Sequence, residues 1–386
     1  MRRLIVMLLL AATAVVLLAC SASNVVYERI ERQRPVVLPR DHYAHDDFQT
    51  EWWYYTGILD AEDGRTFGFE LVFFKRRTEY DYYLGIPIPG PWWTNPAHLA
   101  HFAIADPQHR ELYFRERMMR DYRQGGVAGA RSDALHVWNG DWSVREIDGA
   151  QVISAVTRRY NLKVSLTSPK PPTLHGDNGY FLKDVSETGE HGTYYISYTH
   201  LIGDGVLYVE GRPLAVKAKA WMDHEYGTHQ LSARQVGWDW FSLRMSDDSE
   251  LMVYLLKQTD GTHGKYSKAT FVRPDGSVER FAFDDLVVEP GRVWRSPREG
   301  GGRYVLEWVI RVPKLNATYR IKPVFDDNEI DSALTTNVRY WEGMIRVEGV
   351  VDGRPVPGNG YMEICGAAHP VRALTAAPTP REGSGS

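Results

Sequence analysis

Between residues 41 and 371, apolar and polar positions alternate with a period of two in one run after another. The runs Phe67 to Phe74, Tyr194 to Leu201, Trp238 to Met245 and Leu251 to Gln258 read as strands. Between such runs stand Asp63-Gly64, Asn139-Gly140, Asp148-Gly149, Asp204-Gly205, Asp260-Gly261, Asp275-Gly276 and Asp352-Gly353. These dipeptides favour the positive φ angles of tight hairpins, so each is expected to be a turn. No long stretch carries a 3.6-residue apolar period with caps. The pattern predicts an all-β chain.

The pattern also repeats weakly. Glu51 to Phe74 runs as an aromatic strand, an acidic turn and an aliphatic strand, and Gly237 to Leu256 does the same. Two similar halves are expected, residues 41–225 and 226–371, with the break near Tyr226 to Val236. The element Gly237-Trp238-Asp239-Trp240 resembles the Gly-x-Trp opening of lipocalins, whose barrel closes over one ligand cavity. Outside the halves, Arg2 and Arg3 precede an apolar run from Leu4 to Ala19, too short to span a bilayer comfortably. Residues 1–20 read as a lipoprotein signal peptide, because Leu17-Leu18-Ala19-Cys20 resembles a lipobox, with Cys20 the lipidated residue. Ser21 after it resembles the sorting position of lipoproteins sent to the outer membrane, which implies a periplasm-facing anchor. Residues 21–40 are expected to be a tether reaching roughly 25 Å, and residues 372–386 a disordered tail.

Composition narrows the function. With 43% hydrophobic residues the chain has material for a core, and a formal net charge of -4 gives no footprint for nucleic acid. Beyond the leader Cys365 is the remaining cysteine, so no internal disulfide can form, and it reads as a core residue.

Six of the twelve tryptophans sit beside carboxylates, in Glu51-Trp52-Trp53-Tyr54-Tyr55, Trp221-Met222-Asp223-His224-Glu225-Tyr226, Trp238-Asp239-Trp240 and Trp341-Glu342. Rings leave water and carboxylates keep it, so their pairing suits a pocket that is apolar in body and reactive at one point. On strands, residues i and i+2 share a face. Glu51, Trp53 and Tyr55 then lie opposite Trp52 and Tyr54, while Trp221, Asp223 and Glu225 lie opposite Met222, His224 and Tyr226. The candidate catalytic residues are His224, Asp223, Glu225 and Glu51. His224 leads because the acids on either side could raise its pKa into the working range. The candidate ligand-binding rings are Trp53, Tyr55, Trp221, Tyr226, Trp238, Trp240 and Trp341.

Other chemistries lack their residues. There is no Gly-x-Ser-x-Gly elbow and no phosphate-cradling glycine loop. His224 and His229 are five apart with Gly227 between them, so they would not face one metal, and the pairs His42/His45 and His98/His101 would point to opposite sides of a strand. No metal and no cofactor is expected.

The run Arg40-Asp41-His42-Tyr43-Ala44-His45, followed by Phe48-Gln49-Thr50-Glu51-Trp52-Trp53-Tyr54-Tyr55-Thr56-Gly57, resembles the opening of the AttH family of bacterial secreted or lipid-anchored proteins. Gly176-Asp177-Asn178-Gly179-Tyr180, Trp221 to Gly227, Gly237 to Phe241 and Tyr340-Trp341-Glu342-Gly343 follow in the family's order, over about residues 40 to 370. The resemblance implies two tandem lipocalin-like (calycin) barrels and kinship with carotenoid 1,2-hydratases. Their Asp-His-Asn-Trp-Gly-like stretch maps onto Asp223 to Gly227, with Glu225 a departure. It also implies either a binding protein for a lipid or isoprenoid, with an ABC transporter as a possible partner, or an acid-catalysed hydratase or hydrolase acting on such a ligand. Hydration needs a buried, protonated carboxyl to attack an alkene and ring faces near the carbocation.

Overall fold

The computed structural model describes residues 27–77, 80–83, 86–89, 96–120 and 126–371. The segment read as a signal peptide, Cys20 and the tail at 372–386 lie outside the described residues. Among those described, a 13-stranded and an 11-stranded antiparallel sheet carry the fold. The protein is all-β, two lipocalin-like barrels in tandem. The first sheet ends at Gly227 and the second begins at Gln235.

The two sheets are built alike. In the first, the opening strand Thr50–Ala61 pairs with its hairpin partner Thr66–Arg76 on one side and with the last long strand, Arg212–Gly227, on the other. In the second, Gln235–Met245 pairs with Glu250–Gln258 and with the final strand Gly358–Ile364. Joining first strand to last curls each sheet round its own core and covers what would otherwise be open edges. Trp53, Tyr55, Leu71, Phe102 and Met222 fill the first interior, and Phe241, Leu243, Trp308, Tyr319 and Trp341 the second. A third apolar layer joins the barrels through Trp221, Tyr195, Trp238, Trp240 and Tyr340. Each such side chain contributes about 1.5–3 kcal/mol when taken fully from water.

Two expectations differ from the structure. Asp204-Gly205 is not a turn but lies inside the 21-residue strand Gly189–Val209, paired on both sides. Gly205 is needed there for close packing, because a Cβ would stand 2.1 Å from the Lys163 carbonyl oxygen. The turn comes at Glu210-Gly211, with φ of 51° and 80°. The stretch read as a tether, 21–40, lies on the first barrel from Tyr27 onward. Tyr27 and Ile30 are buried, Glu28 N–H donates to the Asp47 carbonyl at 2.8 Å, and the Tyr194 hydroxyl donates to the Glu31 carbonyl at 2.9 Å.

Candidate functional site

Strands Thr50–Ala61 and Arg212–Gly227 meet with Trp53 opposite His224 and Tyr54 opposite Asp223. Residues directly opposite in an antiparallel pair project to the same side. One side therefore carries Glu51, Trp53, Tyr55, Met222, His224 and Tyr226, and the other Trp52, Tyr54, Trp221, Asp223 and Glu225. The first set faces into the first barrel, and the second faces the other barrel.

Inside the first barrel, Glu51 is a hydrogen-bond hub. Its Oε1 accepts from His45 Nδ1 at 2.8 Å and from His224 Nε2 at 2.9 Å. Its Oε2 accepts from the Lys75 ammonium at 2.7 Å and the His45 backbone N–H at 3.0 Å. Burial alone would raise this carboxyl, but Lys75, His224 and His45 hold it well below the usual range. His224 stacks on Trp53 with ring centres 4.8 Å apart, and His45 on Tyr226 at 3.6 Å. The acids flanking His224 in the chain do not raise its pKa. They sit on the opposite face, and burial lowers it against the pull of Glu51. The ligand atoms of His45, Glu51 and His224 lie within 4.8 Å of one another, a grouping that could hold a metal ion and that pairwise spacing along the sequence did not show. Two of the three are engaged otherwise: Glu51 is neutralised by Lys75, and His45 uses its second nitrogen on Asp41 at 3.3 Å, while His224 Nδ1 has no partner among the described residues.

Between the barrels lies a narrow cleft, whose walls include Trp52, Tyr54, Tyr195, Trp238, Trp240 and Tyr254. Asp223 sits in its wall, fully buried. It accepts hydrogen bonds from Trp221 Nε1 at 2.6 Å, the Tyr195 hydroxyl at 2.7 Å and the Ser197 hydroxyl. Burial outweighs these three donors and pushes the carboxyl up to about 7. Trp240 Nε1 donates to the Tyr195 oxygen at 2.9 Å, fixing that hydroxyl between indole and acid. Glu225, two residues on, accepts from the Lys183 ammonium at 2.8 Å and the Thr193 hydroxyl at 2.5 Å. Glu70 is raised to about 8, chiefly by burial. Glu342, which accepts from the Tyr54 hydroxyl at 2.7 Å, is raised well above its ordinary value by burial and by Glu70. Glu363 is raised too, by burial, and accepts from Trp238 Nε1 at 3.0 Å. The cleft is a ring-lined space in whose walls Asp223, Glu70 and Glu363 favour the neutral acid.

A family model described as AttH-like matches residues 29–367, most of the chain. The chain belongs to the AttH-like family. A solved structure of a protein designated AttH from Nitrosomonas europaea is 28% identical, with a TM-score of 0.77 over 88% of this chain and 99% of that one. Kievitone hydratase from Nectria haematococca is 14% identical, with a TM-score of 0.65 over 89% of this chain and 98% of that one, a likeness of fold. None of the curated proteins matches the chain.

In this AttH-like chain the candidate residues divide between three interiors. Asp223, Glu225, Trp238 and Trp240 line the cleft, and Trp221 supports it by holding Asp223. His224, Glu51, Trp53, Tyr55 and Tyr226 face into the first barrel, so His224 meets Glu51, while Asp223 and Glu225 lie on the other face, as strand alternation predicts. Trp341 is buried in the second barrel, its Nε1 donating to the Asp326 carbonyl at 2.6 Å. Sequence reasoning missed Glu70, Tyr195, Lys183, Tyr340 and Glu363. For Glu70 a signal existed: in Phe67 to Phe74 both alternating faces are apolar, so an acid on either face must be buried. Cys365, read as a core residue, is buried and borders the cleft, its thiol donating to Glu363 at 3.1 Å.

Proposed function

We propose that the cleft between the barrels binds a neutral apolar ligand, a lipid or isoprenoid, and that Asp223 acts on it as a general acid in the hydration of a carbon–carbon double bond. The observation that carries this reading is the buried Asp223 carboxyl, poised near neutrality in a wall of aromatic rings. The Asp223 proton forms the new C–H bond using the alkene π electrons, and Asp223 is left as the carboxylate. The adjacent carbon becomes cationic, next to the electron-rich faces of Trp240, Trp238 and Tyr254. Water adds to it through oxygen, and the proton that water loses passes to Glu225, one strand repeat or roughly 7 Å from Asp223. The two carboxyls recover their starting states by exchange with solvent. Tyr195, shared between Trp240 and Asp223, positions the acid.

Anchoring through a lipidated Cys20 at the outer membrane, facing the periplasm, accords with the leader and lipobox and would place the cleft beside a source of apolar ligand. Exchange with an ABC transporter is proposed on the family resemblance alone.

The test uses the chain without its leader, incubated with neutral polyprenyl olefins in water enriched in oxygen-18. Wild type should yield an alcohol one labelled water heavier, and Asp223→Asn should bind the olefin but form no product. Equal product from both proteins, or none from wild type with any olefin that binds, contradicts the assignment.

A further inference from the structure

A chain of hydrogen bonds leaves the cleft through the joint between the barrels and reaches the outside. At its inner end the Tyr340 hydroxyl lies 3.0 Å from Glu70 Oε1. That hydroxyl is also 2.9 Å from His101 Nδ1, and His101 Nε2 is 2.7 Å from the Thr335 hydroxyl. Thr335 in turn lies 2.5 Å from Glu116 Oε2, a half-buried carboxylate at the molecular edge. Glu70, His101 and Glu116 come from three adjacent strands of the first sheet, Thr66–Arg76, Ala97–Asp106 and Glu111–Arg120. Val72 is opposite His101 and His101 opposite Glu116, which puts the three polar groups on one face. The second barrel supplies Thr335 and Tyr340, so the chain is complete only when the barrels are docked.

Counting hydrogens shows that this chain has two self-consistent arrangements. With Glu116 as carboxylate, Thr335 donates to it, His101 Nε2–H donates to Thr335, Tyr340 donates to His101 Nδ1, and a protonated Glu70 donates to Tyr340. With the proton on Glu116 instead, every bond reverses. Glu116 donates to Thr335, Thr335 to His101 Nε2, His101 Nδ1–H to Tyr340, and Tyr340 to an ionised Glu70. The arrangements differ by one shift of each hydrogen along the line. Each shift breaks one O–H or N–H bond and forms the next, and the net change is Glu70–H plus Glu116 carboxylate to Glu70 carboxylate plus Glu116–H. Every atom named has a partner in both states, as a buried polar line requires.

We infer that Glu116, Thr335, His101 and Tyr340 form a proton path between the outer surface and the Glu70 carboxyl at the cleft. The preferred resting state is the first arrangement, because burial keeps Glu70 protonated up to about 8 and holds His101 neutral down to about 3. Neither a histidinium nor a tyrosinate is populated along the way, since Tyr340 is raised well above its ordinary value by burial and by Glu70. Transfer therefore moves the hydrogens in concert. Glu70 Oε2, buried and without a hydrogen-bond partner among the described residues, is free to contact an occupant of the cleft. The path deepens the hydration reading, in which protons must be restored to a cleft closed by its ligand, but its existence does not depend on any substrate.

The experiment follows the infrared carbonyl stretch of protonated Glu70 in the protein without its leader, the band being assigned by its loss in Glu70→Gln. On transfer to heavy water the band should shift at once in wild type. Thr335→Val, which keeps the shape and removes the hydroxyl, should slow that shift by about tenfold or more, and Thr335→Ser should restore it. Exchange in Thr335→Val as fast as in wild type, or a carbonyl band that Glu70→Gln leaves in place, overturns the path. Failure of the protein to hydrate any olefin would leave this result unchanged, so the two readings fail separately.

Discussion

Asp223 and His224 are consecutive in the chain and serve different interiors. The Asp223 carboxyl is held by Tyr195 and Trp221 in the wall between the barrels, while His224 Nε2 donates to Glu51 at 2.9 Å inside the first barrel. Strand alternation turns one dense sequence box into an acid on one side and a structural hub on the other.

The hub should be a stability element. Glu51→Gln leaves the buried Lys75 ammonium with only the exposed Asp46 carboxylate, at 3.2 Å, as countercharge, and turns one of the two acceptor oxygens of the hub into an NH2 donor among groups that donate. A loss of about 3–5 kcal/mol in urea unfolding is expected. The double variant Glu51→Gln, Lys75→Met should recover part of it, and a loss below about 1 kcal/mol for the single variant would contradict the assignment.

The cleft acids predict an unusual pH dependence. The folded-state pKa of Glu70 is raised from 4.5 to about 8. Its contribution is fully present below the unfolded value near 4.5 and is lost as pH rises through the folded value, the reverse of a salt-bridged carboxylate. Wild type should lose on the order of 1–4 kcal/mol relative to Glu70→Gln between pH 5 and pH 9, read from denaturant midpoints. Parallel curves for the two proteins would show that Glu70 is ionised in the fold.

The glycine that sequence reading placed in a turn offers a sharp comparison. Gly205→Ala puts a methyl 2.1 Å from the Lys163 carbonyl in the middle of a sheet and should cost about 2–4 kcal/mol. Gly149→Asn, at an open turn with φ of 77° and nothing within 4 Å of its Cβ, should cost less than about 1 kcal/mol. Thermal melts of the two variants separate strand from turn.

Much of the fold was legible because its signals are local. Alternation through Phe67 to Phe74 and Trp238 to Met245 gives strands, and the face arithmetic at Trp52 to Tyr55 and Trp221 to Tyr226 gives the two side-chain sets seen in the structure. Asp204-Gly205 misled because the same dipeptide that permits a turn also permits backbones to approach closely within a sheet. What alternation could not show is which set faces a cavity. That depends on Trp221, Trp240 and Tyr195 meeting across the barrels, a contact between residues 45 apart for Trp240 and Tyr195. The acids Glu70 and Glu363 come from strands far away in sequence and carry no motif, so their convergence on Asp223 is a property of the docked barrels.

The central claim, that the guest lies between the barrels and not inside one, is tested most directly by energy transfer from tryptophan to a neutral conjugated polyene in three proteins. Trp240→Leu, at the cleft wall, should weaken binding by about tenfold, and Trp53→Phe, inside the first barrel, should change it by less than about twofold. Weaker binding in Trp53→Phe with Trp240→Leu unaffected would place the ligand in the barrel interior and contradict the account.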